Sequence, residues 1–355
     1  MAPLEQAILD VIQDGFPIAE RPYAELARIL NDCGAGSTGV TESEVFSLVE
    51  GLRATGVIRR IGGVYDSFKL GFVSRLVAGK VYALGNKATD DSALNEFAAA
   101  VNRVPAVTHN YVRSHAYNVW FTVIAESAAA IDSIVDKLTA TTALRDVHVL
   151  PATRKIKINT VMGKAATRMV SATGTATNVA TGVTADSLTA AELSDADKCR
   201  IRALSGDLPH TLTPFVDVFA GVSQTGANAA GDLPSFLAAI RGDLASGLMR
   251  RFGAVLRHQE AGFAHNAMVC FEHPLAPDAD RILTMEPHIS HCYERPPFEG
   301  FPYNLYAMFH AASAGELEQA IAQTASALSA GSACQVKYTV LHSLLELKKT
   351  SFTFF

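Results

Sequence analysis

The sequence predicts an α+β protein of two repeats, each a winged helix-turn-helix followed by a ferredoxin-like βαββαβ domain. First, "GVIRRIGGVYDSFKLGF" at 56–72 aligns with "GLMRRFGAVLRHQEAGF" at 247–263, an offset of 191 residues (247 minus 56). Second, a histidine, a tyrosine and an arginine recur at alternate positions, as His109, Tyr111 and Arg113 and again as His291, Tyr293 and Arg295. Third, in the first half the apolar period changes from helical to strand-like after the repeated stretch.

The beginning of the first half predicts three short helices and a β hairpin. Thr41 and Glu44 form a capping box that opens the third helix. The three apolar faces are Leu4, Ile8, Val11 and Ile12, then Tyr23, Leu26, Ala27 and Leu30, and finally Val45, Leu48, Val49 and Leu52. The run from Val57 to Tyr65 is β-like, and we expect it to form the hairpin of the wing.

The remainder of each half predicts the βαββαβ order. In the first half we expect strands near 73–84, 107–112, 118–124 and 147–150, with helices near 92–103 and 131–138. In the second half we expect strands near 264–272, 287–293, 303–310 and 334–341, with a short crossover helix near 276–285. The predicted domains are a winged helix-turn-helix at 1–66, a ferredoxin-like domain at 67–162, an Ala-, Thr- and Gly-rich linker at 163–190, a degenerate winged helix-turn-helix at 191–257 and a second ferredoxin-like domain at 258–355.

Composition and charge argue against several classes of protein. A net charge of −5 and a pI near 6.1 favour neither a nucleic-acid partner nor an anionic membrane. No apolar run approaches the roughly 18 residues of a membrane span, and the acidic first residues do not resemble a signal peptide. We therefore expect a cytoplasmic protein. Five cysteines without C-x-x-C spacing predict reduced thiols and no structural zinc.

The predicted recognition helix of the first winged domain is acidic. It carries Glu42, Glu44 and Glu50 against Arg53 alone, whereas DNA binding requires cations facing the phosphates. The second such helix offers Arg241 beside Asp243. We therefore expect no binding to nucleic acid.

The repeated polar residues are the candidates for chemistry. Strand alternation places each trio on one face, where histidine and tyrosine can act as acids. Two copies favour a functional site over a histidine that merely packs. The twin arginines could clamp ligand carboxylates or cap a helix C-terminus. The tyrosine–asparagine pairs could orient a ligand or close a hairpin. The arginines are Arg59, Arg60, Arg250 and Arg251, and the pairs are Tyr117-Asn118 and Tyr303-Asn304.

The motifs "GVIRRIGGVYD", "HNYVRSHAYNVWFT" and "SHCYERPPFEGFPYNLYAMFH" resemble those of the siroheme decarboxylases, in the fused form whose halves otherwise occur as separate subunits. The resemblance implies an Lrp/AsnC-like fold that has lost DNA binding. It also implies removal of two acetate carboxyls of siroheme as CO2, which gives 12,18-didecarboxysiroheme for haem d1 synthesis or an alternative haem route. Phe301 stands where the family often has tryptophan, and an arginine expected near 344–346 is missing.

The resemblance also implies roles for the candidate residues. His109, His291, Tyr111 and Tyr293 would be catalytic, and the arginines, including Arg113 and Arg295, would bind substrate together with the tyrosine–asparagine pairs. The reaction is not an oxidation, so no cofactor is expected. The iron arrives with siroheme, and His109 or His291 could instead ligate it. Expected partners are siroheme and its product, an intramolecular pseudo-dimer, a further homo-oligomer and other enzymes of haem d1 synthesis.

Two other functions fit the same pattern. One is a haem- or tetrapyrrole-sensing regulator of the Lrp/AsnC type, which keeps the pocket without turnover. The other is a structural pseudo-dimer partner of an active homologue. Two separate His-x-Tyr-x-Arg trios favour an enzyme over a sensor.

Overall fold

The computed structural model describes residues 2–34, 39–81, 91–158, 193–224, 231–256, 265–272, 278–330 and 335–355. The chain divides into two compact units, and each contains segments of both repeats. Unit 1 is Met1–Leu70, Ala190–Gly262 and Thr353–Phe355, and unit 2 is Gly71–Thr189 and Phe263–Phe352. The linker predicted at 163–190 lies outside the described residues. The four predicted domain boundaries stay predictions.

Helices and strands follow one another along the described residues in the order of an α+β protein, as the sequence predicts. They are α1 (Pro3–Asp14), α2 (Pro22–Asp32), α3 (Glu42–Ala54), β1 (Ile58–Tyr65), β2 (Val73–Val81), α4 (Asp91–Asn102), β3 (Val107–Arg113), β4 (Val119–Ala125), α5 (Ala128–Thr141), β5 (Leu144–Pro151), β6 (Arg154–Ile158), α6 (Asp195–Ser205), α7 (Pro214–Gln224), α8 (Leu233–Ala245), β7 (Met249–Leu256), β8 (His265–Glu272), α9 (Ala279–Met285), β9 (Ile289–Glu294), β10 (Leu305–Ala311), α10 (Ala314–Ala330) and β11 (Lys337–Lys349).

Local capping signals set where two helices of unit 1 begin. The predicted box at Thr41 is confirmed, because its hydroxyl accepts from the Glu44 amide at 3.3 Å and its own amide donates to the Glu44 carboxylate at 2.8 Å. Ser194 and Asp197 form the matching box at the start of α6. Both boxes satisfy backbone amides that no helical partner reaches. The third helix of the first half and the first helix of the second therefore begin at a signal in the local sequence.

The wing of unit 1 is built jointly by the two repeats. Strand β1 pairs antiparallel with β7, and Gly62 lies opposite Gly253. A side chain at Gly62 would collide with the carbonyl oxygen of Gly206 after α6, and one at Gly253 with that of Ile12 in α1. The glycines thus allow each first helix to approach the other repeat's strand. The hairpin predicted within the first half is wrong, because β1 finds its partner in the other repeat.

Unit 2 contains one nine-stranded sheet among its described residues. Its order is β5-β2-β4-β3-β11-β8-β10-β9-β6. The two end strands are consecutive in the chain and only Ala152 and Thr153 separate them, so the sheet must curve back on itself. Strand β11 pairs with β8 through Lys337–His342 and with β3 through Ser343–Lys349. Each repeat therefore supplies a strand that pairs with an edge strand of the other, β11 with β3 and β6 with β9, and the predicted intramolecular pseudo-dimer is confirmed.

Three apolar layers hold unit 2 together. Helices α4 and α5 cover the first repeat's outer sheet face, and α9 and α10 cover the second's. A third cluster joins the two inner sheet faces and draws on both repeats. It consists of Ala78, Tyr117, Trp120, Leu150, Met268, Cys270, Phe301, Tyr306 and Leu341. The faces that carry the candidate residues are therefore fixed by a shared core.

We expect Leu341→Ala to lower the free energy of unfolding by about 2–5 kcal/mol, because it deletes a fully buried side chain of the shared core. Leu344→Ala on the same strand is the matched control, since Leu344 is 64% exposed. Its effect should stay within about 0.5 kcal/mol. Chemical denaturation measures both, and equal losses would contradict the assignment of β11 as the strand that joins the repeats.

Candidate active site

The two trios lie on the inner faces of the unit 2 sheet. His109 pairs with Thr122 and Tyr111 with Trp120, and Trp120 belongs to the shared inner core. In the second repeat the equivalent partners of His291 and Tyr293 are Met308 and Tyr306. Residues directly opposite in an antiparallel pair point to one face. Each histidine and tyrosine therefore shares its face, as the alternation predicts.

A β-bulge precedes each histidine and places a hydroxyl beside its ring. The register shifts between Val107 and His109 in one repeat, and between the residues paired with Ile289 and His291 in the other. The Nδ1 atom of His109 lies 2.9 Å from the Thr108 hydroxyl, and Nδ1 of His291 lies 2.9 Å from the Ser290 hydroxyl. Bulges commonly redirect a side chain next to a functional site. The hydroxyl holds Nδ1, so Nε2 lies on the opposite side of each ring.

The trio arginines point into the protein interior. Arg113 is 4% exposed and donates to the carbonyl of Leu341 at 3.1 Å, while Arg295 donates to that of Leu150 at 2.6 Å. Each guanidinium also lies 5.1 Å from the ring centre of the tyrosine before it. Burial lowers the pKa of Arg113 to about 10. Binding of substrate by these arginines stays a prediction.

The neighbours of the two trio tyrosines differ in charge. Glu346 lies across from Tyr111, and its carboxylate accepts a hydrogen bond of 3.1 Å from the Tyr111 hydroxyl. Lys155 lies across from Tyr293 at the equivalent position of the second repeat, again by the offset of 191 (346 minus 155). The sequence indicates neither residue, because its pattern does not predict β6 or the end of β11 as strands. One trio therefore has an acidic neighbour and the other a basic one.

His310 is a further polar residue beside the second trio, and the sequence pattern does not indicate it. Its Nε2 atom lies 2.9 Å from the Ser290 hydroxyl, which also contacts Nδ1 of His291. Ile124 occupies the equivalent position of the first repeat, since β4 and β10 have the same length and the same place in the fold. Only the second repeat can therefore have an imidazole there.

The tyrosine–asparagine pairs lie at the strand ends beside the inner core. Tyr117 donates to Asp146 at 3.1 Å, and the Lys80 ammonium lies 4.4 Å from its ring centre. A hydrogen bond from Lys80 lowers the pKa of Asp146. Asn118 bonds both main-chain groups of Val81, at 2.9 and 3.1 Å. These contacts close the end of the first repeat's sheet, and a role in orienting ligand stays a prediction.

The second pair makes similar closing contacts. The ring of Tyr303 packs edge-on to Phe301, with centroids 4.8 Å apart. The amide of Asn304 donates to the carbonyl of Phe271 at 3.0 Å, and its carbonyl accepts from the amide of Arg295 at 2.8 Å. Binding of ligand by this pair is likewise a prediction.

The twin arginines belong to unit 1. Arg60 donates to the carbonyls of Gly206 and Gly63, and Arg251 donates to those of Gln13 and Ala254. The second arginine of each pair therefore binds a carbonyl at the end of the other repeat's first helix. Burial lowers the pKa of both to about 10. Arg250 pairs with Asp66 at 2.8 Å, and Arg59 is half-buried. The trios belong to unit 2, so a site shared with these arginines stays a prediction.

Comparison with known proteins identifies the family. A model described as the AsnC-like ligand binding domain matches residues 69–157 and 260–348, half of the chain, and one described as the siroheme decarboxylase NirDL-like HTH domain matches 5–59. The siroheme decarboxylase alpha subunit of Desulfovibrio desulfuricans is 42% identical over 44% of this chain and 82% of its own. The siroheme decarboxylase of Hydrogenobacter thermophilus is 29% identical over 98% of this chain and 94% of its own. This chain belongs to the siroheme decarboxylase family.

A solved siroheme decarboxylase has the same fold. The crystal structure of NirDL in co-complex with an iron-uroporphyrin III analogue matches 99% of this chain and 94% of that one, with a TM-score of 0.65 and 24% identity. In this family member, no described helix is long and apolar enough to cross a membrane. The described residues also contain no group of three or more His, Cys, Asp or Glu side chains placed to hold a metal ion.

The acidic residues of α3 have local partners in this siroheme decarboxylase family member. Glu42 pairs with Arg21, Glu44 completes the capping box, and Glu50 lies 3.2 Å from Arg53. The helix thus has no cation in excess, because its single arginine faces a carboxylate of the same helix. The absence of DNA binding stays a prediction.

Removal of Arg251 should destabilise the protein more than removal of its neighbour. Arg251→Ala leaves two buried carbonyls without their charged donor, which should cost about 1.5–3 kcal/mol of unfolding free energy. Arg250→Ala breaks an ion pair with Asp66 that water partly reaches, and about 0.2–1 kcal/mol is expected. Urea denaturation of the two variants tests this, and the reverse order would show that capping is not the role of Arg251.

Proposed function

We propose that this protein is a carboxy-lyase that removes two acetate carboxyls of siroheme as CO2 and forms 12,18-didecarboxysiroheme. The observation that carries the proposal is the repeated histidine–tyrosine arrangement on the inner faces of an AsnC-like ligand-binding fold. Membership of the siroheme decarboxylase family supports it. The bound iron-uroporphyrin III analogue of the related NirDL is a tetrapyrrole of the same kind.

The chemistry needs an electron sink and a proton donor. When the bond between the methylene carbon and the carboxyl carbon breaks, CO2 leaves and its bonding electron pair passes to the methylene carbon. The tetrapyrrole accepts this charge most readily when the ring is protonated first. The methylene carbon then takes one proton and becomes a methyl group. Histidine titrates near neutral pH and suits this donation.

The histidines and tyrosines of the two trios are the candidate proton donors. Nδ1 of His109 and of His291 is held by a hydroxyl, so Nε2 is the nitrogen suited to give a proton to the substrate. Tyr111 and Tyr293 lie beside them with stacked rings and are alternative acids. No redox cofactor enters this scheme, and the iron is part of the substrate. Ligation of that iron by His109 or His291 is the alternative role of the imidazole.

The substrate is an anion with many carboxylates, so its binding requires local positive charge in a protein of net charge −5. Lys155 lies across from Tyr293, and we assign it to holding a carboxylate that does not react. Carboxylate binding by Arg59 and Arg250 of unit 1 stays a prediction. The product would pass to haem d1 synthesis or another haem route in the cytoplasm, where contact with other enzymes of that route and a further homo-oligomer are proposed.

The decisive experiment is anaerobic incubation of the purified protein with siroheme and mass spectrometry of the tetrapyrrole. The expected product has lost two CO2. The His109→Ala, His291→Ala double variant should bind siroheme but lose at least about 100-fold in turnover, the contribution of a positioned acid. A wild-type protein that binds siroheme unchanged would instead favour the sensor. Full turnover by the double variant would move the acid role to Tyr111 or Tyr293.

Binding of iron-uroporphyrin III tests the charge assignment. Lys155→Gln should raise Kd about tenfold, equivalent to roughly 1.4 kcal/mol, because a charge-assisted contact to a carboxylate is lost. Glu346→Gln should lower Kd or leave it unchanged, since it removes a carboxylate beside Tyr111. Lys337→Gln is the control, as that side chain is 79% exposed on β11. Absorbance titration measures all three, and equal effects at positions 155 and 337 would contradict a specific role for Lys155.

A further inference from the structure

We propose that His310, acting through Ser290, is a positioning residue that orients His291 and returns a proton to it, so that the second repeat performs the turnover. The inference rests on the proposed function and asks which of its two equivalent trios is catalytic. It concerns a residue that neither trio contains.

The geometry is a continuous chain of three polar groups. Nδ1 of His291 and Nε2 of His310 each lie 2.9 Å from the Ser290 hydroxyl oxygen. Serine can donate one proton and accept others, so its hydroxyl can give a proton to one imidazole while taking one from the other. Ser290 is 6% and His310 is 7% exposed, and the contacts therefore lie in an environment where water competes poorly.

The local backbone explains why the three groups meet. His291 and His310 are on adjacent strands, β9 and β10, and the amide of His310 donates to the carbonyl of His288. The bulge at Ser290 shifts the register by one residue, so His291 lies opposite Met308, two residues from His310 along β10. The Ser290 side chain then fills the distance between the rings. A regular strand would place this hydroxyl on the other face of the sheet.

The first repeat retains only half of this arrangement. Thr108 holds Nδ1 of His109 at 2.9 Å, as Ser290 holds that of His291. Beyond it the equivalent of His310 is Ile124, which has no proton to give. The acid Glu346 beside Tyr111 adds a second difference, because it repels substrate carboxylates. Both differences favour the second repeat as the catalytic one.

The proton transfer balances at every atom. His291 begins neutral with its proton on Nε2, and His310 begins protonated on both nitrogens. Nε2 of His291 gives its proton to the methylene carbon as CO2 leaves. The Ser290 hydroxyl gives its proton to Nδ1 of His291 and takes one from Nε2 of His310. Both imidazoles end neutral, and His310 recovers a proton from water. Each decarboxylation thus consumes one proton and releases one CO2.

The test compares hydroxyl and methyl at position 290 in the full-length protein with siroheme as substrate. Ser290→Ala should lower kcat about 30- to 100-fold, within the range of a lost general-acid contribution, with KM and the Kd for iron-uroporphyrin III unchanged within about twofold. Ser290→Thr should restore kcat to within about threefold, since Thr108 shows that threonine makes the same contact. His310→Gln, which cannot relay a proton, should match Ser290→Ala. The magnitudes follow from general acid catalysis.

Two comparisons separate this role from a structural one. Ser329→Ala removes another hydrogen-bonded hydroxyl, on α10, and should leave kcat unchanged. Thr108→Ala removes the equivalent contact in the first repeat, and its loss of kcat should be at least tenfold smaller than that of Ser290→Ala. If Ser290→Ala keeps wild-type kcat, or if Thr108→Ala loses as much, the inference is wrong. Wild-type protein without turnover would instead contradict the proposed function itself. If His310→Gln fails to fold, the comparison of Ser290→Ala with Ser290→Thr still tests the inference.

Discussion

Exchange of strands between the two repeats is the constraint on which unit 2 depends. Strand β3 would be the edge of the first repeat's sheet without Ser343–Lys349 of β11, and β9 would be the edge of the second without β6. Unpaired edges expose main-chain donors and acceptors, and such edges are prone to pair with other chains. The histidine of each trio lies on one of these strands. Neither candidate site can therefore form its surroundings within a single repeat.

The same exchange lets the two sites diverge without disturbing the fold. Glu346 lies across from Tyr111, and Lys155 lies across from Tyr293. Each comes from the last strand of the opposite repeat, β11 or β6. These side chains are exposed, so the sign of their charge has little effect on packing. Inside, the pattern is kept, with both trio arginines bonded to main-chain carbonyls and both histidines held by a hydroxyl. The two repeats thus differ in residue type at the positions that would face a ligand, and also at the equivalent positions 124 and 310.

Most of the fold follows from the sequence because its signals are local. The capping box at Thr41, the helical spacing after it and the alternation at 107–112 each act over a few residues. The parts that the sequence does not predict depend on partners far along the chain. Strand β6 and the extension of β11 beyond residue 341 carry several charges and form because the other repeat pairs with them. The pattern of the wing predicts a hairpin, but its partner strand is about 190 residues away, close to the repeat offset of 191. His310 escapes prediction for the same reason, since only the register and the bulge bring it to Ser290.

Four of the candidate arginines share one kind of hydrogen-bond partner. Arg113, Arg295, Arg60 and Arg251 all donate to main-chain carbonyls. A buried guanidinium with such partners stabilises the strand or helix end that it binds, and moving it toward a ligand would leave those carbonyls unsatisfied. The trio arginines lie against Tyr111 and Tyr293 and so fix the tyrosines beside the histidines. Lys155 is a more accessible cation on the face of Tyr293, and substrate binding by the buried arginines stays a prediction.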